Sequence, residues 1–214
     1  MCGRFSLTPK IERVIEKLNI INSIDLAPSY NIAPSQDIAV VRAVNDQLVI
    51  STMRWGLIPG WMKELPKGSP LINARGETVA GKPSFRSAYK KRRCLIPADG
   101  FYEWQKTQNS KQPYYIQLKD KSLFTFAGLW EQWQNGGQTI ESCTIITTDA
   151  NDDMKSIHHR MPVIIAQAHY AHWFHGTDPQ DVLIPYPNGE LRAYPVSNYV
   201  NSPKNNGPSC IEPI

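Results

Sequence analysis

The chain has 214 residues, 41% hydrophobic and 20% charged, which suits one folded domain over 1–214 and excludes a disordered polyelectrolyte. No apolar run reaches the roughly 20 residues of a membrane helix, and Met1-Cys2-Gly3-Arg4-Phe5 has no signal-peptide core, so the expectation is a cytoplasmic protein, nucleoid-associated in a bacterial host, with no membrane contact. The net charge of +4 is unevenly spread: residues 61–98 carry nine Lys or Arg against Glu64 and Glu77, the charge pattern of a polyanion-binding face.

Thr8-Pro9 reads as a hydroxyl cap and first-turn proline, followed by Ile11, Val14, Ile15 and Leu18 at helical spacing. Residues 38–44 and 47–53 are β-branched runs flanking Asn45-Asp46, the pattern of a hairpin. From Trp55 to Pro70, Gly and Pro predict an irregular segment that exposes Trp55 and Trp61. Ser84 is placed to cap a short basic helix through Arg93, with Phe85, Ala88 and Tyr89 facing inward. Strands are expected at 94–97, 101–105, 114–119, 123–130 and 140–147, and helical turns at 150–157 and 166–175. The proline-containing tail from Asn198 is expected as an extended strap. Short strands with few helices predict an α+β domain built on a curved, mainly antiparallel sheet or barrel-like core with peripheral helices.

Cys2 follows an initiator methionine, and loss of Met1 would leave an amino-terminal cysteine. Such a residue is a 1,2-aminothiol, an amine of pKa about 8 beside a thiol of about 8.5. It condenses with an aldehyde as an imine, and the thiol then closes a five-membered thiazolidine. An internal cysteine, whose nitrogen is an amide, cannot do this. The other cysteines, at 94, 143 and 210, show no metal-ligand spacing and are expected as reduced thiols. Glu103 follows the Asp99-Gly100 turn and sits among aromatics, where a carboxylate pKa rises into the range of an acid/base, although the wet face of an amphipathic strand explains it equally well.

His158-His159-Arg160-Met161-Pro162 offers an imidazole for proton transfer and a guanidinium for phosphate, with only one of the two adjacent histidines facing a given cleft if the chain is extended. His169, His172 and His175 drift around a helix and read as packing or surface residues rather than zinc ligands. Asn73, Arg75 and Glu77 share one side of an extended segment, either as a functional row or as a salt bridge with an asparagine cap. Trp55, Trp61, Phe85 and Arg86 combine stacking rings with positive charge, the recipe for single-stranded nucleic acid or, equally, ordinary lid packing.

Six segments together resemble the SRAP (SOS response-associated peptidase) family. They are Met1-Cys2-Gly3-Arg4-Phe5, Tyr30-Asn31-Ile32-Ala33-Pro34, Trp55-Gly56-Leu57-Ile58-Pro59, the run from Leu71 to Thr78, the run from Arg93 to Trp104, and His158-His159-Arg160-Met161-Pro162. The resemblance spans essentially the whole chain. It implies a sensor of abasic sites in single-stranded DNA that links to the site covalently. It further implies Cys2 as the linking residue after loss of Met1, Asn73 as the group that positions it, Glu103 for proton transfer and self-processing, and His158 for sugar-ring opening and release. Arg4, Arg75 and Arg160 then look like phosphate contacts, joined by Arg86 from the charge-and-ring pattern above, Trp61 and Phe85 look like supports for neighbouring bases, and neither a metal nor an organic cofactor is called for. A monomer, with replication-associated proteins as further partners, completes the expectation. Two other classes fit the same residues: a thiol peptidase or hydrolase acting on other proteins through Cys2, and a non-covalent single-strand binder.

Overall fold

Asn45 and Asp46 both take left-handed backbone conformations (φ 49° and 61°), the geometry of the two-residue turn that best matches strand twist. The computed structural model, which describes residues 2–108 and 110–214, accordingly pairs Val44 with Gln47 and runs the hairpin back to Asp37 opposite Arg54. In chain order the elements are β1 (Phe5–Leu7), α1 (Ile11–Leu18), β2 (Ser29–Ile32), β3 (Asp37–Val44), β4 (Gln47–Trp55), β5 (Asn73–Arg75), α2 (Arg86–Lys91), β6 (Arg93–Ala98), β7 (Gly100–Lys106) and β8 (Lys111–Leu118). There follow β9 (Phe124–Asn135), β10 (Gln138–Asp149), β11 (Arg160–Pro162), β12 (Ile164–Ile165), α3 (Tyr170–His175) and β13 (Leu191–Pro195). Among the described residues no helix is long and apolar enough to cross a membrane.

Strands β4, β3, β6, β9 and β10 pair in a ring. Four of its pairings are antiparallel, and a short parallel contact of β10 with β4, Cys143 opposite Trp55, closes it. Closure removes the open sheet edges, while β5 and β11 extend the sheet from β10 and β12 extends it from β9. The core includes Val41, Leu95, Ile96, Ala127, Leu129, Cys143 and Ile145, each fully buried. Gly128 permits a close approach inside the barrel: a Cβ there would lie 2.9 Å from both Cys94 Sγ and Ile96 Cδ1.

A second sheet, in the order β13-β8-β7-β1-β2, lies beside this barrel. Phe5 of β1 meets Trp55 edge-on at 5.2 Å and Phe126 at 5.8 Å, and Phe101 meets Phe126 at 6.1 Å. Edge-to-face aromatic pairs add about 0.5–1.5 kcal/mol each beyond burial, so the N-terminal strand is stapled into the seam between the sheets. At Asp99 the chain passes from β6 in one sheet to β7 in the other. Gly100 lies under the Tyr115 ring, where an added Cβ would fall 2.1 Å from ring atoms.

Several local expectations are corrected by tertiary packing. Helix α1 begins with Lys10 at its cap position and no side-chain cap, because Thr8 turns to donate from its amide and hydroxyl to Asp99. Phe85 rather than Ser84 precedes α2, without a capping bond. Trp55 is wholly buried at the barrel closure, not exposed, and donates from Nε1 to the Ile72 carbonyl. Residues 152–157 form turns with mixed three- and four-residue hydrogen bonds rather than a helix. The tail is not an extended strap: it coils into short 3₁₀ turns at Asn198–Asn201 and Pro208–Cys210, burying Val200 and Cys210 against Tyr102 and Tyr115.

Candidate functional site

The seam between the sheets positions Cys2. Phe5 pairs with Phe101, and the Tyr102 amide donates to the Arg4 carbonyl at 2.9 Å, so the residues ahead of β1 run beside the strand that carries Glu103. From the other side, parallel pairing sets Asn73 of β5 opposite Ile145 of β10. Its Nδ2 donates to the Cys2 carbonyl at 2.8 Å. Asn73 Oδ1 is buried and accepts no hydrogen bond from the described residues. Cys2 itself has no exposed surface.

Burial, and then the charge of Glu103, push the Cys2 thiol well above its usual range. Glu103 is 3% exposed, and burial raises its own pKa, opposed in part by the Trp104 amide and by His159. A neutral thiol beside a carboxylate with raised basicity is a poised proton donor and acceptor. His158 is half-buried, and burial, aided by the charges of His159 and Arg160, depresses its pKa, so the imidazole is neutral at neutral pH. His158 Nδ1 lies 3.0 Å from the Arg160 backbone N–H and 3.2 Å from the Arg160 carbonyl, and the shorter contact is the one to the amide. An amide N–H can only donate, so Nδ1 is the acceptor and the proton sits on Nε2. Thus His158 holds an Nε2–H donor, which can hydrogen-bond an oxygen.

The arginines divide in two. Arg160 is 7% exposed and ties down both Glu77 (2.7 and 3.0 Å) and Asp149 (2.7 Å), with a further bond to the Thr147 carbonyl at 2.8 Å. It braces β5, β10 and β11 rather than presenting an open guanidinium to phosphate. Arg4 donates to Asn31 Oδ1 at 2.7 Å and to the Val200 carbonyl at 2.9 Å, and lies over Trp104, so it too is engaged within the fold. Arg75 and Arg86 are exposed. Trp61 is 67% exposed, whereas Phe85 is 8% exposed; it packs into the core beneath α2 and offers no free face to a base.

The structure therefore gathers Cys2, Asn73, Glu103 and the His158-His159 pair, and leaves Trp61, Arg75 and Arg86 on the surface. Sequence reasoning missed Asn31, whose side chain also donates to the carbonyls of Val200, Ser202 and Asn205 and so binds the tail beside Arg4. A polar residue inside Tyr30-Asn31-Ile32 was its only signal. The two histidines do not diverge as extended chain would dictate; their rings stack, 4.4 Å apart and 24° from parallel. Among the described residues no group of three or more His, Cys, Asp or Glu side chains could hold a metal ion.

The family model described as SOS response associated peptidase (SRAP) matches residues 1–203. The chain is 45% identical over 222 residues to abasic site processing protein YoqW of Bacillus subtilis (strain 168), covering 99% of each. It is 38% identical over 200 residues to abasic site processing protein HMCES of Xenopus tropicalis, covering 80% of this chain and 59% of that longer relative. A crystal structure of a protein from Bacteroides thetaiotaomicron superposes with a TM-score of 0.87 at 26% identity, covering 100% of both chains.

Proposed function

This chain belongs to the SOS response associated peptidase (SRAP) family, and on that footing we propose that it captures abasic sites in single-stranded DNA as a covalent thiazolidine on Cys2. The observation that carries the reading is the buried Cys2 held by Asn73 beside Glu103. Hydrolysis of the Met1–Cys2 bond, with Glu103 moving the proton, frees the Cys2 amine. His158 hydrogen-bonds the ring oxygen from Nε2 as the C1′–O4′ bond breaks and the proton of the C1′ hydroxyl passes to O4′, giving the open-chain aldehyde. The amine adds to that aldehyde and one water leaves, giving an imine. The thiol then adds to the imine carbon, its proton ending on nitrogen, and the ring closes. Neutral thiol is the resting form here, so Glu103 carries the proton between the two atoms.

Ring closure matters because an imine is an electron sink that promotes β-elimination and strand breakage, whereas a thiazolidine is not. Asn73 Oδ1 supplies an acceptor for the opened sugar's hydroxyl. Exposed Arg75, two residues from Asn73, and Arg86 and Trp61 supply positive charge and a stacking ring for a flexible strand.

Incubation with single-stranded DNA bearing one abasic site, followed by intact mass spectrometry, tests the reading. The expected product lacks Met1, survives denaturation, and has the mass of mature protein plus DNA minus one water. Turnover of unrelated peptides without any DNA adduct would overturn it.

A further inference from the structure

Side chains of adjacent residues in an extended strand point to opposite faces, yet the His158 and His159 rings stack 4.4 Å apart. The backbone explains this. His158 ends a turn, its amide donating to the Met154 carbonyl at 2.9 Å, and its ring folds back to accept from the Arg160 amide at 3.0 Å. His159 is pinned by its carbonyl, which accepts from the Ala150 amide at 3.1 Å, while its ring stays exposed. The exposed ring thus covers the half-buried one, and its charge, when it carries one, lowers the pKa of Glu103 on β7.

We propose that His159 is a positioning residue for the crosslinking reaction, its ring laid over His158 so that its charge bears on the protonation of His158 and of Glu103. The inference rests on the crosslinking reading above. A protonated His159 repels a second proton from the stacked His158 ring and attracts the ionised form of Glu103. Both effects favour the working pair: a neutral His158 that donates from Nε2, and a carboxylate able to accept the thiol proton. Among the described residues, the groups bearing on this pair are Glu103 on β7, the Cys2 thiol beside it, and Arg160 on β11, whose guanidinium is committed to Glu77 and Asp149.

Two variants separate ring from charge. His159→Phe keeps a flat ring over His158 without the charge, and His159→Ala removes both. Processed protein is assayed for adduct formation with abasic single-stranded DNA from pH 5 to 9, and the His158 ring is titrated by NMR in the absence of DNA. Both variants should still reach a complete adduct. In both, the His158 titration and the acid limb of the rate profile should move up by about half a pH unit, a roughly threefold rate loss on that limb. Only His159→Ala should lose rate on the plateau as well. Profiles and His158 titrations superimposable on wild type would overturn the proposal. Failure of the wild-type protein to form any adduct would instead overturn the crosslinking reading, and the DNA-free His158 titration would still decide whether His159 acts on it.

Discussion

Cys143 in the barrel and Cys2 in the seam are equally buried thiols, and burial pushes both far above the usual range. Their neighbours differ. Cys143 lies in strand β10, where Cys94, across the same barrel, is a third thiol raised by burial. Cys2 has Asn73 on its carbonyl and the raised carboxylate of Glu103 facing its sulfur. Burial alone makes a thiol inert; a proton acceptor and a positioned backbone beside it make a site. The barrel buries hydroxyls such as Thr125, Ser142 and Thr144 and a Glu131 paired with Arg92, while the seam buries the Glu103 carboxylate beside a thiol, Cys2, an arrangement that a core selected only for stability would avoid.

The largest expected effect breaks the two thiols apart. Cys2→Ala should abolish the heat-stable DNA adduct, with its thermal unfolding still cooperative. Cys143→Ala should crosslink at the wild-type rate yet lose about 1–2 kcal/mol of stability, the cost of a small cavity in the barrel. Adduct yield and denaturant unfolding of the two variants read both halves. Equal crosslinking by Cys2→Ala, or loss of crosslinking in a folded Cys143→Ala, would erase the distinction.

Glu103→Gln sharpens the same contrast with a smaller effect. The amide cannot move a proton, so adduct formation on pre-processed protein should slow by about 10²-fold, and removal of Met1 during expression should fail. Stability should change in the opposite direction. Because the folded pKa of Glu103 is raised above its unfolded value of about 4.3, the native state binds the extra proton between those values. Stability contributed by the protonated form is therefore present below the unfolded pKa and lost as pH rises through the folded one. Above that window the variant should melt about 2–4 °C higher than wild type, the shift made by about 1 kcal/mol in a domain of this size. Unchanged melting at pH 8 would show that the carboxylate is not strained.

Much of the architecture was legible because local patterns carry it. Alternation and turn chemistry mark the β3–β4 hairpin, and the Ile11, Val14 and Leu18 stripe marks α1. A barrel-like core was legible from the many short strands, but which strands close it was not, since the β4–β10 contact joins residues almost ninety positions apart and local periodicity is blind to it. The same blindness exposed Trp55 on paper and buried it in the fold. Cys2, Asn73, Glu103 and His158 stood out by residue chemistry and by family resemblance, and packing brings them together. Phe85 misled because an aromatic beside basic residues has the same local pattern on a surface or beneath a helix. Arg160 misled because its partners, Glu77 and Asp149, reach it only through strand pairing. The stacked histidines were hidden by the turn that precedes them, which cancels the alternation of extended chain.

The central claim is that the Cys2 amine and thiol act together, and the most direct measurement compares mature protein with protein carrying one extra residue ahead of Cys2. Both have the same thiol, but only the mature form has a free amine on the same residue. The account predicts a DNA adduct with the mature protein that resists borohydride reduction as a closed ring, and no adduct with the extended one. Equal crosslinking by the extended protein would contradict it, since thiol attack alone or a lysine imine would then have to carry the chemistry.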